Sequence, residues 1–171
     1  MRYLTVVRHA KAEPIAPGQS DVDRELNKHG RDQCRQLHAW ASDPSELGRY
    51  GPTVALVSAA RRTKETYRRA FKGTPFVRSR EYSELIYNGR REVTAQDLLA
   101  ELASIDPVTS SLLVVAHNPT VADVVAALLS DPPLAVRQGR FPLAGAYVFA
   151  LRDDEPVALA TYELVATYVP D

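Results

Sequence analysis

Three short apolar runs, Tyr3 to Val7, Val54 to Val57 and Leu112 to Ala116, constrain this chain more than any other feature. Stretches of helical periodicity separate them, and that alternation predicts βαβ units around a mainly parallel sheet. After the first run, a loop containing Pro14, Pro17 and Gly18 leads to a helix beyond Gly30, where Cys34, Leu37, Trp40 and Ala41 recur at helical spacing. Gly48, Gly51 and Pro52 punctuate the chain before the second run. Ser58 stands where it can cap the next helix, which is strongly cationic through Arg61, Arg62, Lys64, Arg68 and Arg69. Thr94 and Asp97 have the spacing of a capping box for a helix through Leu98, Leu99 and Leu102. Asn118 is placed to cap, and Pro119 to open, a helix through Val121, Val124, Val125 and Leu128. Tyr147 to Leu151 and Val157 to Val165 read as a closing hairpin turned at Asp153, Asp154 and Pro156. No repeat, low-complexity tract or linker divides the sequence, so its 171 residues are expected to form a single domain, 1–171.

Charge narrows the choice of partner. Lysine plus arginine and aspartate plus glutamate are balanced at 21 each, so no global field draws the chain to nucleic acid or to a membrane surface. A cationic site must therefore come from particular arginines. The single cysteine, Cys34, excludes an intrachain disulfide and a thiolate metal cage. Cys34 and His38 lie four apart on one helical face, but no second pair of ligands matches them. The apolar runs fall far short of the roughly 20 residues that cross a bilayer. Leu4 to Val7 is too short for a secretory core, so the expected location is cytoplasmic.

Each apolar run ends in polar chemistry: Val7 into Arg8 and His9, Val57 into Ser58 with Arg62 beyond it, and Ala116 into His117 and Asn118. Ligands of open α/β sheets bind outside the carboxyl ends of the strands. If the three strands are parallel neighbours, two histidines and two arginines meet at one edge, beside helix N-termini that favour phosphate. Phosphoryl transfer needs an in-line nucleophile and positive groups around the equatorial oxygens. Arginine forks hold phosphate in a bidentate way, and a neutral imidazole can accept the phosphoryl group covalently. Neighbouring arginines help keep that imidazole neutral. Such a site requires no metal and no cofactor.

Four segments in this order resemble the histidine phosphatase (phosphoglycerate mutase-like) superfamily, and within it the compact SixA-type phosphohistidine phosphatases. They are Val6-Val7-Arg8-His9-Ala10-Lys11-Ala12, Asp23-Arg24-Glu25-Leu26-Asn27-Lys28-His29-Gly30, Ser58-Ala59-Ala60-Arg61-Arg62-Thr63-Lys64-Glu65-Thr66 and Val114-Val115-Ala116-His117-Asn118-Pro119. The resemblance implies a three-layer α/β/α fold with a central, mostly parallel sheet. By position it implies His9 as the phosphorylated nucleophile, with Arg8, Arg62, His117 and Asn118 binding the phosphoryl group.

Lys11 and Ile15 stand where the mutases and many small-molecule phosphatases carry Glu and Asn, which turns the reading away from a mutase. The chain also lacks the long insertions that form a lid in many relatives, and an open pocket suits a phosphorylated side chain on another protein. The expected activity is hydrolysis of a protein phosphohistidine, possible partners including a histidine-phosphotransfer domain. The alternatives are a small phosphomonoester or diphosphate as substrate, and a non-catalytic module that only binds phosphate. Glu84 lies near the place of the family's acidic proton donor, with Asp21, Asp23 and Glu13 as rivals. His29 and His38 are expected to be structural or exposed.

Overall fold

A computed structural model of the chain describes residues 1–89, 91–152, 154–158 and 160–171. Its elements run β1 (Arg2–Arg8), α1 (Lys28–Ser42), β2 (Thr53–Ser58), α2 (Arg61–Ala70), β3 (Val77–Ser83) and α3 (Ala95–Ile105). Then follow β4 (Ser111–Ala116), α4 (Thr120–Leu128), α5 (Leu134–Arg137), β5 (Ala146–Leu151) and β6 (Glu163–Tyr168). The six strands form one sheet in the order β3-β2-β4-β1-β5-β6. β1, β2, β3 and β4 are mutually parallel, while β5 runs antiparallel to both β1 and β6.

The central strands are apolar because helices cover both of their faces. Val7, Ala55, Val57, Leu113 and Val115 pack on Cys34, Leu37, Ala41 and Tyr67 of α1 and α2. Leu4, Val6, Leu56, Leu112 and Val114 point the other way, onto Leu98, Leu102, Val121, Val124 and Val125 of α3 and α4. The result is the expected α/β/α sandwich. α1 and α2, which follow β1 and β2, lie on one face, and α4, which follows the intervening β4, lies on the other. The chain thus leaves β1 and β4 in opposite directions, and a crevice opens between their carboxyl ends. Register aligns those ends: Arg8 pairs with Ala116, and Val57 pairs with Val115.

Several local expectations need correction. Ser58 caps no helix: it is the last residue of β2, and α2 begins after Ala60 without a side-chain cap. The fourth helix starts one residue later than expected, with Pro119 at the cap position and Thr120 first. The last strand begins at Glu163 rather than Val157, so a longer connection joins it to β5; of the expected turn residues, Asp153 lies outside the described residues. β3 has no counterpart in the sequence reading, because an edge strand of sequence VRSREYS is mostly exposed and carries no apolar run. The Thr94 capping box is present, with the Asp97 N–H donating to Thr94 Oγ1 at 3.1 Å and the Thr94 N–H to Asp97 Oδ2 at 2.9 Å.

The loop after β1 is fixed from α1. Gln33 Oε1 accepts from the Lys11 N–H at 3.0 Å, and the Lys11 carbonyl accepts from the Asn27 N–H at 3.0 Å. Gly30 approaches that carbonyl so closely that a Cβ there would lie 2.0 Å from the oxygen.

Candidate active site

His9 follows the last residue of β1 and is only 8% exposed. Its N–H donates to the Ala116 carbonyl at 3.1 Å, which ties the nucleophile candidate to the end of β4. Its ring Nδ1 lies 2.7 Å from the Ala10 carbonyl. A carbonyl only accepts, so this contact places the ring proton on Nδ1 and leaves Nε2 as a bare lone pair. Burial above all, opposed by the Ala10 hydrogen bond and aided by the charges of Arg62, Arg8 and Arg24, lowers the His9 pKa to about 3. The imidazole is neutral at physiological pH, as a nucleophile must be.

His117 follows β4, and its ring centroid lies 5.2 Å from that of His9. Burial, followed by the proximity of His9 and Arg62, holds it well below the usual histidine range. Ser58 Oγ lies 2.7 Å from His117 Nε2, whereas Nδ1 is buried with no partner among the described residues.

The arginines come from different elements. Arg8 closes β1 and donates from Nη1 to the Phe141 carbonyl at 2.7 Å. Arg62 projects from the first turn of α2 and is buried. Asp21 grips it twice, through its carbonyl at 2.9 Å and its Oδ2 at 3.1 Å. The same Oδ2 accepts from the Tyr87 hydroxyl at 2.7 Å, and the Tyr87 ring lies 5.8 Å from the Arg62 guanidinium and 5.6 Å from His117. Burial works to raise the Asp21 carboxyl, but hydrogen bonds from Tyr87 and Arg24 and the charge of Arg62 outweigh it and bring it down to about 2. Asp21 is therefore an ionised anchor for Arg62 in the free protein.

These groups enclose a cavity of about 520 Å³ whose walls include Arg8, His9, Lys11, Arg24, Arg62 and His117. No carboxylate is among its described lining residues. Asn118 also lines it, with one amide N–H already given to the Gly139 carbonyl at 2.8 Å. The structure thus brings together His9, Arg8, Arg62, His117 and Asn118. It does not bring Glu84 to them. Glu84 is exposed and lines a second cavity with Lys64, Leu85, Tyr87 and Arg91. The rivals Asp21, Asp23 and Glu13 do not line the first cavity either.

Sequence reasoning gave no role to Arg24, Asn27, Asn88 or Tyr87, although all but Tyr87 line this cavity. Arg24 and Asn27 lie in the second of the four recognised segments, so the signal for them was present; Asn88 and Tyr87 follow the unanticipated β3. His29 and His38 are exposed, and His38 Nδ1 lies 3.1 Å from the Ala70 carbonyl. Burial pushes the Cys34 thiol up to about 12, the behaviour of a core residue rather than a reactive one. Among the described residues, no helix is long and apolar enough to cross a membrane.

No family model matches the chain, and no curated protein matches it in sequence. Solved structures do match. A candidate phosphohistidine phosphatase, SixA, from Agrobacterium tumefaciens aligns with a TM-score of 0.77 and 25% identity over 99% of both chains. Another candidate SixA, from Nakamurella multipartitia, gives 0.76 and 25% over 99% of this chain and 96% of its own. A protein histidine phosphatase SixA in complex with tungstate gives 0.72 and 22% over 98% of this chain and 97% of its own. The chain is thus similar along nearly its whole length to SixA-type phosphatases and has the fold of the histidine phosphatase (phosphoglycerate mutase-like) superfamily.

Proposed function

We propose that this protein hydrolyses phosphohistidine on a protein substrate through a covalent phospho-His9 intermediate. The observation that carries the proposal is a cationic cavity with no carboxylate among its described lining residues, holding a buried neutral imidazole whose Nε2 has no hydrogen bond among the described residues. Nε2 of His9 attacks phosphorus as the bond to the leaving nitrogen breaks, while Arg8 and Arg62 balance charge on the equatorial oxygens. The substrate imidazole departs neutral when its second ring nitrogen has taken a proton from solvent. Water then attacks phospho-His9, the P–Nε2 bond breaks, and inorganic phosphate and neutral His9 are regenerated. A phosphoramidate needs no dedicated carboxylic acid for this departure, whereas an alkoxide leaving group does.

The tungstate held by one structural neighbour supports the reading, since tungstate is a tetrahedral oxyanion like phosphate. The cavity volume, about 520 Å³, leaves room for a small phosphate ester as the second reading. That no described lining residue is a carboxylate weighs against that reading. Mixing the enzyme with a radiolabelled phosphohistidine protein and quenching within the first turnover should trap acid-labile phosphate on the wild type. His9→Ala should carry none and turn over at least about 10³-fold more slowly. Full activity in His9→Ala defeats the mechanism, and faster turnover of small esters than of phosphohistidine defeats the substrate assignment.

A further inference from the structure

We propose that Ser58 is a positioning residue that holds His117 in its Nδ1–H form, so that the ring donates a hydrogen bond to the phosphoryl group. The inference rests on the phosphoryl-transfer reading of the cavity and assigns a role to a residue outside its walls. Ser58 is fully buried at the end of β2, and its Oγ lies 2.7 Å from His117 Nε2. Among the described residues its hydroxyl proton has no other acceptor. A buried hydroxyl that fails to donate pays the full cost of leaving water, so the proton points at Nε2. Nε2 must then offer its lone pair, and a neutral imidazole has its single proton on the other nitrogen.

That other nitrogen, Nδ1, is buried and lacks a partner among the described residues, an arrangement expected of a donor waiting for a ligand. The tautomer matters because His117 is held neutral. A bare lone pair on Nδ1 would repel a phosphoryl oxygen, whereas an N–H attracts it. Burial and the neighbouring cations, which push the His117 pKa well below 6.5, close the alternative of protonating both nitrogens in the free protein.

The two histidines therefore carry the same tautomer for opposite purposes. The Ala10 carbonyl takes the N–H of His9 and leaves a lone pair for phosphorus. The Ser58 hydroxyl takes the lone pair of His117 and leaves an N–H for oxygen. β2, β4 and β1 are adjacent, so each device comes from the next strand or the next residue.

Long-range ¹H–¹⁵N correlation spectra of the imidazoles test this directly. His117 of the wild type should appear as the Nδ1–H tautomer at neutral pH, and Ser58→Ala should lose that preference. On a phosphohistidine protein, Ser58→Ala should lower kcat/KM at least about tenfold. Because Ser58 acts through His117, adding Ser58→Ala to His117→Ala should cost less than about twofold more. An Nε2–H tautomer in the wild type, or additive losses in the double variant, overturns the proposal. The tautomer is read without turnover, so a protein that hydrolyses no phosphohistidine would refute the proposed function while the spectra still judged Ser58.

Discussion

The cavity at the ends of β1 and β4 and the one beyond the ends of β2 and β3 have the same volume, about 520 Å³, and differ in almost every other respect. Among the described residues, the first has two buried imidazoles and four cationic side chains in its walls, with no carboxylate. The second mixes Lys64 and Arg91 with Glu84 and is bordered by Leu85, which is 57% exposed. Arg62, Asp21 and Tyr87 are joined by hydrogen bonds where the two meet. The difference follows from position in the sheet. Central strands deliver their end residues into a space already walled by helices on both faces, where charge is poorly screened and imidazoles stay neutral. The edge strand β3 delivers Glu84 into water. Size does not separate the two cavities, but the buried imidazoles and the wholly cationic charge of the first one's described lining do.

Three experiments can break or sharpen that division. The largest contrast is expected between arginines. Arg62→Ala should lower kcat/KM on a phosphohistidine protein by about 10²-fold, and Arg91→Ala should change it by less than about twofold. Equal losses would erase the distinction.

Acid stability comes next. His9 in the folded protein has a pKa of about 3 against 6.5 for the free side chain, so between these values the unfolded chain binds a proton that the folded chain refuses. Stability must therefore fall as pH drops below about 6.5, by about 2 kcal/mol from His9 at pH 5. Urea unfolding at pH 7 and pH 5 should show a smaller acid loss for His9→Asn than for the wild type. Parallel pH profiles for the two proteins would show that His9 is not held neutral.

The smallest effect belongs to the second cavity. Glu84→Gln should alter turnover of phosphohistidine by less than about twofold, because the carboxyl does not line the reacting space. A loss of tenfold or more would make Glu84 the acid and join the two cavities into one site.

What the sequence disclosed, and what it hid, divides along the same line. β1, β2 and β4 are buried on both faces, so their interior side chains are mostly apolar and the polar residues at their ends stand out. That is why His9, His117 and Arg62 were legible as a group. β3 carries its polar side chains at an edge, where hydrogen bonding to one neighbour suffices and no apolar signature is needed. Tyr87 and Glu84 both follow β3, so their positions are equally hidden in the sequence. Serine before a helix is normally a cap, which hides the part Ser58 takes at the end of β2. Only the register of β2 against β4 reveals that its hydroxyl faces an imidazole. Asp21 was visible as a carboxylate, but its pairing with Arg62, 41 residues along the chain, was not.

Gly30 has a consequence that reaches beyond packing. Its α-carbon rests against the carbonyl of Lys11, two residues past His9, with no space for even a methyl group. The opening turn of α1 and the segment that carries His9 are therefore mechanically one part, although some twenty residues of loop connect them. A helix position outside the cavity lining thus bears on the loop that follows His9. Tolerance to substitution in this protein should follow that linkage rather than distance from the cavity: a side chain added at Gly30, on a helix that does not line the cavity, must displace the loop that follows His9.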